Sequence, residues 1–117
     1  MDKEIVTIRT FLSLRLQNRI DDIVSLLADS KYIFITTERK GKQHTGSNNI
    51  ISTLHQVKLK NIHTDHLRFY PESSFGTETL QGIRCECRKQ LWGWSLPCTL
   101  KFRFTFLNGK IFSMETI

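Results

Sequence analysis

The stretch from Leu96 to Phe106 alternates apolar and polar side chains, and this constrains the possible folds more than any other feature. The apolar members, at every second position, are Leu96, Cys98, Leu100, Phe102, Phe104 and Phe106. A period of two indicates a strand with one buried and one solvent-facing side. Asn108-Gly109 follows, and this pair supplies the positive φ angles of a tight hairpin turn. The chain therefore ends in a long antiparallel hairpin with Lys110–Ile117 as its last strand, and other elements must cover the phenylalanine face.

Size and composition indicate one globular domain over residues 1–117. A chain of 117 residues can bury a core without disulfides or metal, and 39% hydrophobic and 24% charged residues argue against disorder. The sequence has no apolar run of about 18 residues and no apolar segment typical of a secretory signal. Three cysteines argue against a disulfide framework, so we expect a cytoplasmic protein without a membrane partner.

Apolar residues at helical spacing predict three helices in the N-terminal half. The three stripes are Ile5, Ile8, Leu12 and Leu16; Ile20, Ile23, Val24 and Leu27; and Ile50, Leu54 and Val57. Asp2 and the pair Asp21-Asp22 fall at the starts of the first two helices, where the helix dipole favours a carboxylate. Thr45-Gly46-Ser47 opens the third helix.

The remaining segments are predicted as strands and turns. Between the second and third helices, the β-branched and aromatic run Lys31–Thr37 predicts a strand covered on both sides, and Glu38–His44 a basic loop. After the third helix we expect strands over Ile62–Tyr70, Thr77–Trp92 and Trp94–Phe106, with a turn at Pro71–Gly76. This order indicates an α+β fold, with three helices packed on one face of a strongly curved, mostly antiparallel sheet.

Four segments in sequence order resemble the nuclear-transport-factor-2-like superfamily, and in particular its ketosteroid-isomerase and SnoaL-like branch. They are Arg19–Asp29 (RIDDIVSLLAD), the strand after it, Thr45–Ile50 (TGSNNI) and Phe106–Met114 (FLNGKIFSM). The resemblance covers nearly the whole chain. It implies a cystatin-like cone that opens at one end into an apolar pocket, and a homodimer formed through the sheet.

The resemblance also implies where isomerase members carry their catalytic groups. The phenol donor of the first helix falls on Phe11, the second acid donor on Phe102, and the catalytic base on Ile35 or Thr37. A phenyl ring cannot stabilise an enolate, and isoleucine cannot accept a proton. We therefore expect a non-catalytic domain that needs no cofactor.

The resemblance and strand parity together predict a pocket that holds a small apolar molecule or is filled by the protein's own side chains. The candidate lining residues are Phe11, Tyr32, Phe34, His55, Trp94, Phe102 and Phe104.

An alternative is an enzyme of the SnoaL-like type (isomerase, cyclase or hydratase) with a relocated acid or base. The candidate carriers are Glu38, His44 and His55. Each also fits a simpler interpretation, because Glu and His are ordinary residues of a solvated loop and no spacing fixes a partner carboxylate for His55.

A zinc site is a further interpretation of Cys85, Cys87 and Cys98 on neighbouring strands. The C-x-C spacing lacks the usual C-x₂₋₄-C knuckle, and His63 and His66 fall on opposite strand faces. Free cysteine is a common buried apolar residue, so we expect no metal.

The outward sheet face offers a last alternative, an interaction module for protein or nucleic acid. Its basic residues are Arg68, Arg84, Arg88, Lys101 and Arg103, with Trp92 and Trp94 nearby in sequence. Basic residues with aromatics can bind single strands through phosphate contacts and stacking. A solvated or dimer-facing sheet explains the same pattern, so we do not expect nucleic acid as a partner.

Overall fold

The computed structural model describes residues 2–38, 41–59, 62–72, 80–90 and 97–117. Its helical elements are α1 (Asp2–Leu16), a 3₁₀ helix (Ile20–Leu26) and α2 (Ser47–Gln56). The strands are β1 (Phe34–Thr36), β2 (Gln43–Thr45), β3 (Ile62–Glu72), β4 (Leu80–Gln90), β5 (Pro97–Leu107) and β6 (Lys110–Thr116). They form one six-stranded sheet in the order β2-β1-β6-β5-β4-β3. All neighbours pair antiparallel except β1 and β6, which are parallel, so the fold is α+β with a mixed sheet.

The alternation in β5 forms the centre of the core. Phe102, Phe104 and Phe106 are at most 3% exposed. They face the helices, and the ring of Phe104 meets the ring of Phe11 on α1 edge to face at 5.6 Å. Cys85 on β4 lies opposite Phe102 and is buried with it. The period-two pattern thus becomes the inner face of the sheet, as the sequence predicts.

The terminal hairpin has the predicted turn and one irregularity. Asn108 and Gly109 take φ angles of 52° and 80°, which is the left-handed conformation that a two-residue hairpin turn requires. The register then shifts between Thr105 and Phe106, so that Phe112 is an extra residue in β6. A bulge of this kind bends a strand and increases its twist. Because of it, Ile111 and Met114 both face the core although they are three residues apart.

Two elements differ from the sequence prediction in the region before α2. The predicted strand Lys31–Thr37 shrinks to Phe34–Thr36, because residues 31 and 32 form a turn in which the Tyr32 amide donates to Ser30 Oγ. The predicted loop Glu38–His44 contains most of β2, which pairs with β1 at the edge of the sheet. A three-residue polar edge strand has no apolar periodicity, and its pairing is made by backbone groups alone.

Further boundaries also change. The second helix is a 3₁₀ helix rather than an α-helix, and β3 continues through Pro71 and Glu72, which the pattern assigned to a turn. Proline is tolerated there because β3 is an edge strand. The rest of that predicted turn and the predicted strand segments 77–79, 91–92 and 94–96 lie outside the described residues.

None of the helices in the described ranges is long and apolar enough to cross a membrane.

Replacing Phe104 by alanine should lower the free energy of unfolding by about 3–5 kcal/mol, because Phe104 is fully buried among Phe11, Phe102 and Phe106. The urea-unfolding midpoint measures the loss. Tyr32→Ala is the matched control, because Tyr32 is an aromatic residue that is 64% exposed, and its loss should be smaller. Equal losses for the two variants would contradict the assignment of the core to the β5 face.

Candidate functional site

A cavity of about 170 Å³ lies at the end of the sheet opposite the Asn108-Gly109 turn. Its wall combines the last turn of α1, the segment after α2 and the inner face of β5 and β6. The lining residues are Arg15, Thr37, Val57, Lys58, Leu59, Leu100, Phe102 and Thr116. Cavities of about 150 Å³ in protein interiors hold benzene, so this volume suits a single ring with a short substituent.

The floor of the cavity continues the apolar face of the sheet. Leu100 and Phe102 follow the alternation of β5, and Phe102 pairs with Thr116 of β6. The Thr116 amide donates to Thr36 Oγ1 at 3.0 Å, and Thr116 Oγ1 donates to the Thr36 carbonyl at 3.2 Å. These bonds fix the end of β6 against β1, and Thr37 directly after β1 completes that side.

Arg15 is a buried cation in the wall of the cavity. Its side chain stands seven residues after Ile8 and four after Phe11, so it falls on the buried stripe of α1 and is only 6% exposed. Nη2 donates to the Val57 carbonyl at 3.2 Å, and the guanidinium lies 5.9 Å from the centre of the Phe11 ring. Nε is buried and has no hydrogen-bond partner in the described part of the chain.

The charge of Arg15 persists despite its burial. Desolvation lowers the pKa of Arg15 to about 10, which still leaves the guanidinium protonated at neutral pH. No carboxylate of the described residues forms an ion pair with it. Among the described residues, the positive charge of Arg15 in the cavity therefore has no acidic partner.

A second cation, Lys58, lies at the rim of the cavity. Its Nζ donates to Asn18 Oδ1 at 2.6 Å, which ties the segment after α2 to the end of α1. Asn18 takes a φ of 59°, a left-handed conformation common just after helices. With Arg15 inside and Lys58 at the rim, and no acid among the described lining residues, the cavity is electropositive.

The sequence analysis missed Arg15. The signal was present, because the apolar spacing of Ile8, Phe11 and Leu12 extends to position 15. A basic residue in the last turn of a helix is ordinary, however, since it complements the helix dipole at the surface. Only the folded structure, in which Arg15 is 6% exposed and donates to the Val57 carbonyl, shows that the charge is inside.

The predicted lining residues fall into separate places. Phe102 lines the cavity, whereas Phe11 and Phe104 belong to the closed core at 0% exposure. Phe34 packs its ring 6.4 Å from Phe112 on the outer face, because the parallel pairing with β6 sets it beside Ser113. Tyr32 is 64% exposed, because it precedes β1 in a turn where strand parity does not apply.

The other predicted residues lie elsewhere or are not described. His55 projects toward the 3₁₀ helix, where Nε2 lies 2.8 Å from Asp21 Oδ1 at the surface. Glu38 is exposed and His44 is half-buried on β2, and the cavity lining includes none of these three candidate acids and bases. Trp94 lies outside the described residues.

The positions that the resemblance assigns to isomerase chemistry divide between core and cavity. Phe11 and the alternative base position Ile35 are buried in the core, and Phe102 and Thr37 line the cavity. None of these four side chains exchanges a proton near neutral pH.

The cysteines in the described part of β4 are buried free thiols. Burial raises the pKa of Cys85 to about 12 and that of Cys87 to about 11, so both are thiols at neutral pH. The described residues contain no group of three His, Cys, Asp or Glu side chains placed to hold a metal ion. The side chains of Cys98, His63 and His66 fall outside this description.

Part of the positive charge on the outer face of the sheet is neutralised by ion pairs with glutamates. Arg103 Nε donates to Glu72 Oε2 at 2.7 Å, and Arg103 Nη1 lies 3.8 Å from Glu115 Oε2. Arg84 lies 3.5 Å from Glu86 and places its guanidinium 4.7 Å from the centre of the Tyr70 ring. These pairs neutralise part of the charge that would attract phosphates.

Comparison with known proteins identifies the fold. No protein-family model matches the sequence, and no curated protein is similar to it in sequence. Solved structures do match. A candidate polyketide cyclase from Sinorhizobium meliloti superposes with a TM-score of 0.57 at 20% identity, covering 95% of this chain and 93% of that one. A nuclear-transport-factor-2-like protein of unknown function from Shewanella oneidensis gives 0.62 at 8% identity, covering 98% and 96%.

This chain also matches one part of a larger protein, the orange carotenoid protein of Anabaena (Nostoc) binding canthaxanthin, with a TM-score of 0.68 at 14% identity. It covers 94% of this chain and 35% of that protein. Together these likenesses confirm the nuclear-transport-factor-2-like fold that the sequence resemblance implied. At identities of 8–20%, these structural similarities show a shared fold and do not show a shared activity.

We expect Cys85 and Cys87 to resist alkylation in the folded protein. At pH 8 a thiol with a pKa near 11 is about one-thousandth thiolate, and burial also excludes the reagent. The test is iodoacetamide labelling in a Cys98→Ser background, read by mass spectrometry with and without urea. Ser25→Cys, at an exposed site, is the positive control, and labelling of Cys85 or Cys87 at its rate would contradict this burial.

Proposed function

We propose that this chain is a non-catalytic, homodimeric domain that binds a small, largely apolar molecule in the cavity beside Phe102. The observation that carries the proposal is the cavity itself. Its floor of Leu59, Leu100 and Phe102 is apolar, and its described lining contains neither a carboxylate nor an imidazole. Concave sites with an apolar body and a few polar groups are the usual form of small-molecule sites.

The size of the cavity limits the ligand and its affinity. A volume of about 170 Å³ admits a ligand of one ring, and the apolar area that such a molecule buries is small. After the entropic cost of association, we expect dissociation constants of about 10 µM to 1 mM for simple ring compounds. The orange carotenoid protein, which matches this chain over 35% of its own length, binds canthaxanthin, an apolar molecule.

A SnoaL-like enzyme with relocated groups finds no support at this cavity. Glu38 is exposed, and His55 pairs with Asp21 at the surface rather than with a group in the cavity. General acid or base catalysis needs such a group within hydrogen-bond reach of the substrate. The fold shared with a candidate polyketide cyclase is the remaining argument for an enzyme, and a shared fold does not carry an activity.

The outer sheet face supports the homodimer. A depression of about 290 Å³ there is lined by Phe34, Leu80, Arg103, Thr105, Phe112, Ser113 and Glu115. Its centre is apolar, and its border carries one arginine and one glutamate. A two-fold interface brings the same patch of both copies together, so opposite charges at the border can pair across it.

A reducing, cytoplasmic location completes the proposal. Cys85 and Cys87 are free thiols in the core. A domain that keeps unpaired thiols in its core is typical of a compartment where disulfides do not form.

Filling the cavity should abolish ligand binding. We expect ring compounds such as toluene and indole to raise the Tm of the wild-type protein through mass action. In Leu100→Trp the added ring occupies the cavity, so the ligand-induced shift should disappear. Thr99→Trp is the matched control, because Thr99 is the exposed neighbour of Leu100 on β5. Scanning fluorimetry and ligand-detected NMR report both quantities, and equal binding by both variants would place the ligand elsewhere.

A charge in the outer patch should separate the dimer. Phe112→Glu places a carboxylate in the proposed apolar centre, which disfavours burial against a second copy. Sedimentation velocity at several concentrations should show a wild-type dimer and a monomeric variant. Val24→Glu is the control, since Val24 is 52% exposed on the 3₁₀ helix. A wild-type protein that is monomeric at all concentrations would exclude the dimer.

A further inference from the structure

Arg15 is a buried charge that no acid of the described residues neutralises. It is 6% exposed, donates a hydrogen bond to the Val57 carbonyl and lies against the ring of Phe11. A guanidinium has five N–H donors, and arginine is rarely buried unless it is paired. The buried Nε has no partner in the described part of the chain, although it belongs to a side chain that lines a cavity.

Stability alone does not account for this residue. Burial of an unpaired cation opposes folding, and an apolar side chain of similar length would fill the same space without that cost. The bond to Val57, the one hydrogen bond that Arg15 makes within the described ranges, is to a neutral carbonyl, which compensates a buried cation less well than a carboxylate does. Such a residue is explained most simply by a partner that arrives with the ligand.

We propose that Arg15 anchors the carboxylate of a small amphipathic anion, whose apolar part lies on Leu100 and Phe102. This inference rests on the proposed binding function and specifies the class of ligand. The planar fork of a guanidinium matches a carboxylate with two parallel hydrogen bonds, and in a desolvated site these bonds are strong. Lys58 at the rim adds a second positive charge, and no acid of the described lining competes for Arg15.

The volume of the cavity limits the rest of the molecule. About 170 Å³ holds one ring and a short acidic arm, which makes aryl carboxylates suitable probes. Phenylacetate and 2-phenylethanol differ mainly in the charged head, so their affinities isolate the contribution of the anion.

The experiment measures the binding of both probes to the full chain by calorimetry at pH 7.5. In the wild type, phenylacetate should bind at least about tenfold more tightly than 2-phenylethanol, the factor expected for a charged hydrogen bond. Arg15→Met should remove this preference and leave 2-phenylethanol bound with similar or higher affinity. Arg15→Lys keeps the charge without the fork and should retain part of the preference. Arg19→Met, which removes an exposed cation, should behave as the wild type.

The stability of the variants gives a second readout. If Arg15 serves the ligand, Arg15→Met should unfold at the same or a higher urea concentration, because the buried charge is gone. A clear loss of stability together with unchanged selectivity would make Arg15 a structural tie to Val57 and overturn the inference. If Arg15→Met does not fold, the preference for phenylacetate over 2-phenylethanol is compared between the wild type and Arg15→Lys. An equal preference in these two proteins would contradict the role of the guanidinium fork.

The outcomes separate this inference from the proposed function. If both probes bind the wild type equally, or only 2-phenylethanol binds, the anion anchor is wrong and the apolar site stands. If Leu100→Trp abolishes binding but Arg15→Met leaves the acid preference intact, the anion is bound by another group. If neither probe binds at millimolar concentration, both proposals fail.

Discussion

The packing of the β5 phenylalanines against α1 is the contact on which the rest of the structure depends. Phe104 sits at its centre, in contact with Phe11 across the layers and with Phe102 and Phe106 along the strand. The strands β4 and β6 pair with β5 on either side. Helix α1 packs on the β5 phenylalanines through Phe11. The cavity forms where this cover ends, because α1 stops at Leu16 while the inner face of β5 continues. The site is thus a consequence of unequal element lengths.

The same helical stripe that builds the core also carries Arg15 into the interior. Ile8, Phe11 and Leu12 are packed because they share one face of α1, and Arg15 continues that face. Burial of a cation without an acidic partner opposes folding, and no acid of the described residues pairs with Arg15. Sites where a local rule of folding is broken are the places where function is expected.

On the outer face, ion pairs formed in the folded chain reduce the positive charge that the composition suggests. The net charge of +6 and the row of arginines suggest an anion-binding surface. In the folded chain, Arg103 is held by Glu72 and Glu115, and Arg84 by Glu86. The sheet brings Glu72 and Glu115 from other strands to Arg103, while Glu86 lies two residues after Arg84 on β4. The apolar patch around Phe112 remains as a candidate interface.

Local periodicity allowed the sequence alone to determine the α+β class, the terminal hairpin and the inner position of Phe102 and Phe104. These properties follow from the repeat of two in strands and 3.6 in helices, which neighbouring residues encode. The sequence did not determine the polar edge strand β2, the bulge at Phe112 or the burial of Arg15. Each of these depends on a partner in another element, namely β1 for the edge strand, Thr105 of β5 for the bulge and Val57 for Arg15. Periodicity within one segment does not encode such pairings, and only the folded structure shows them.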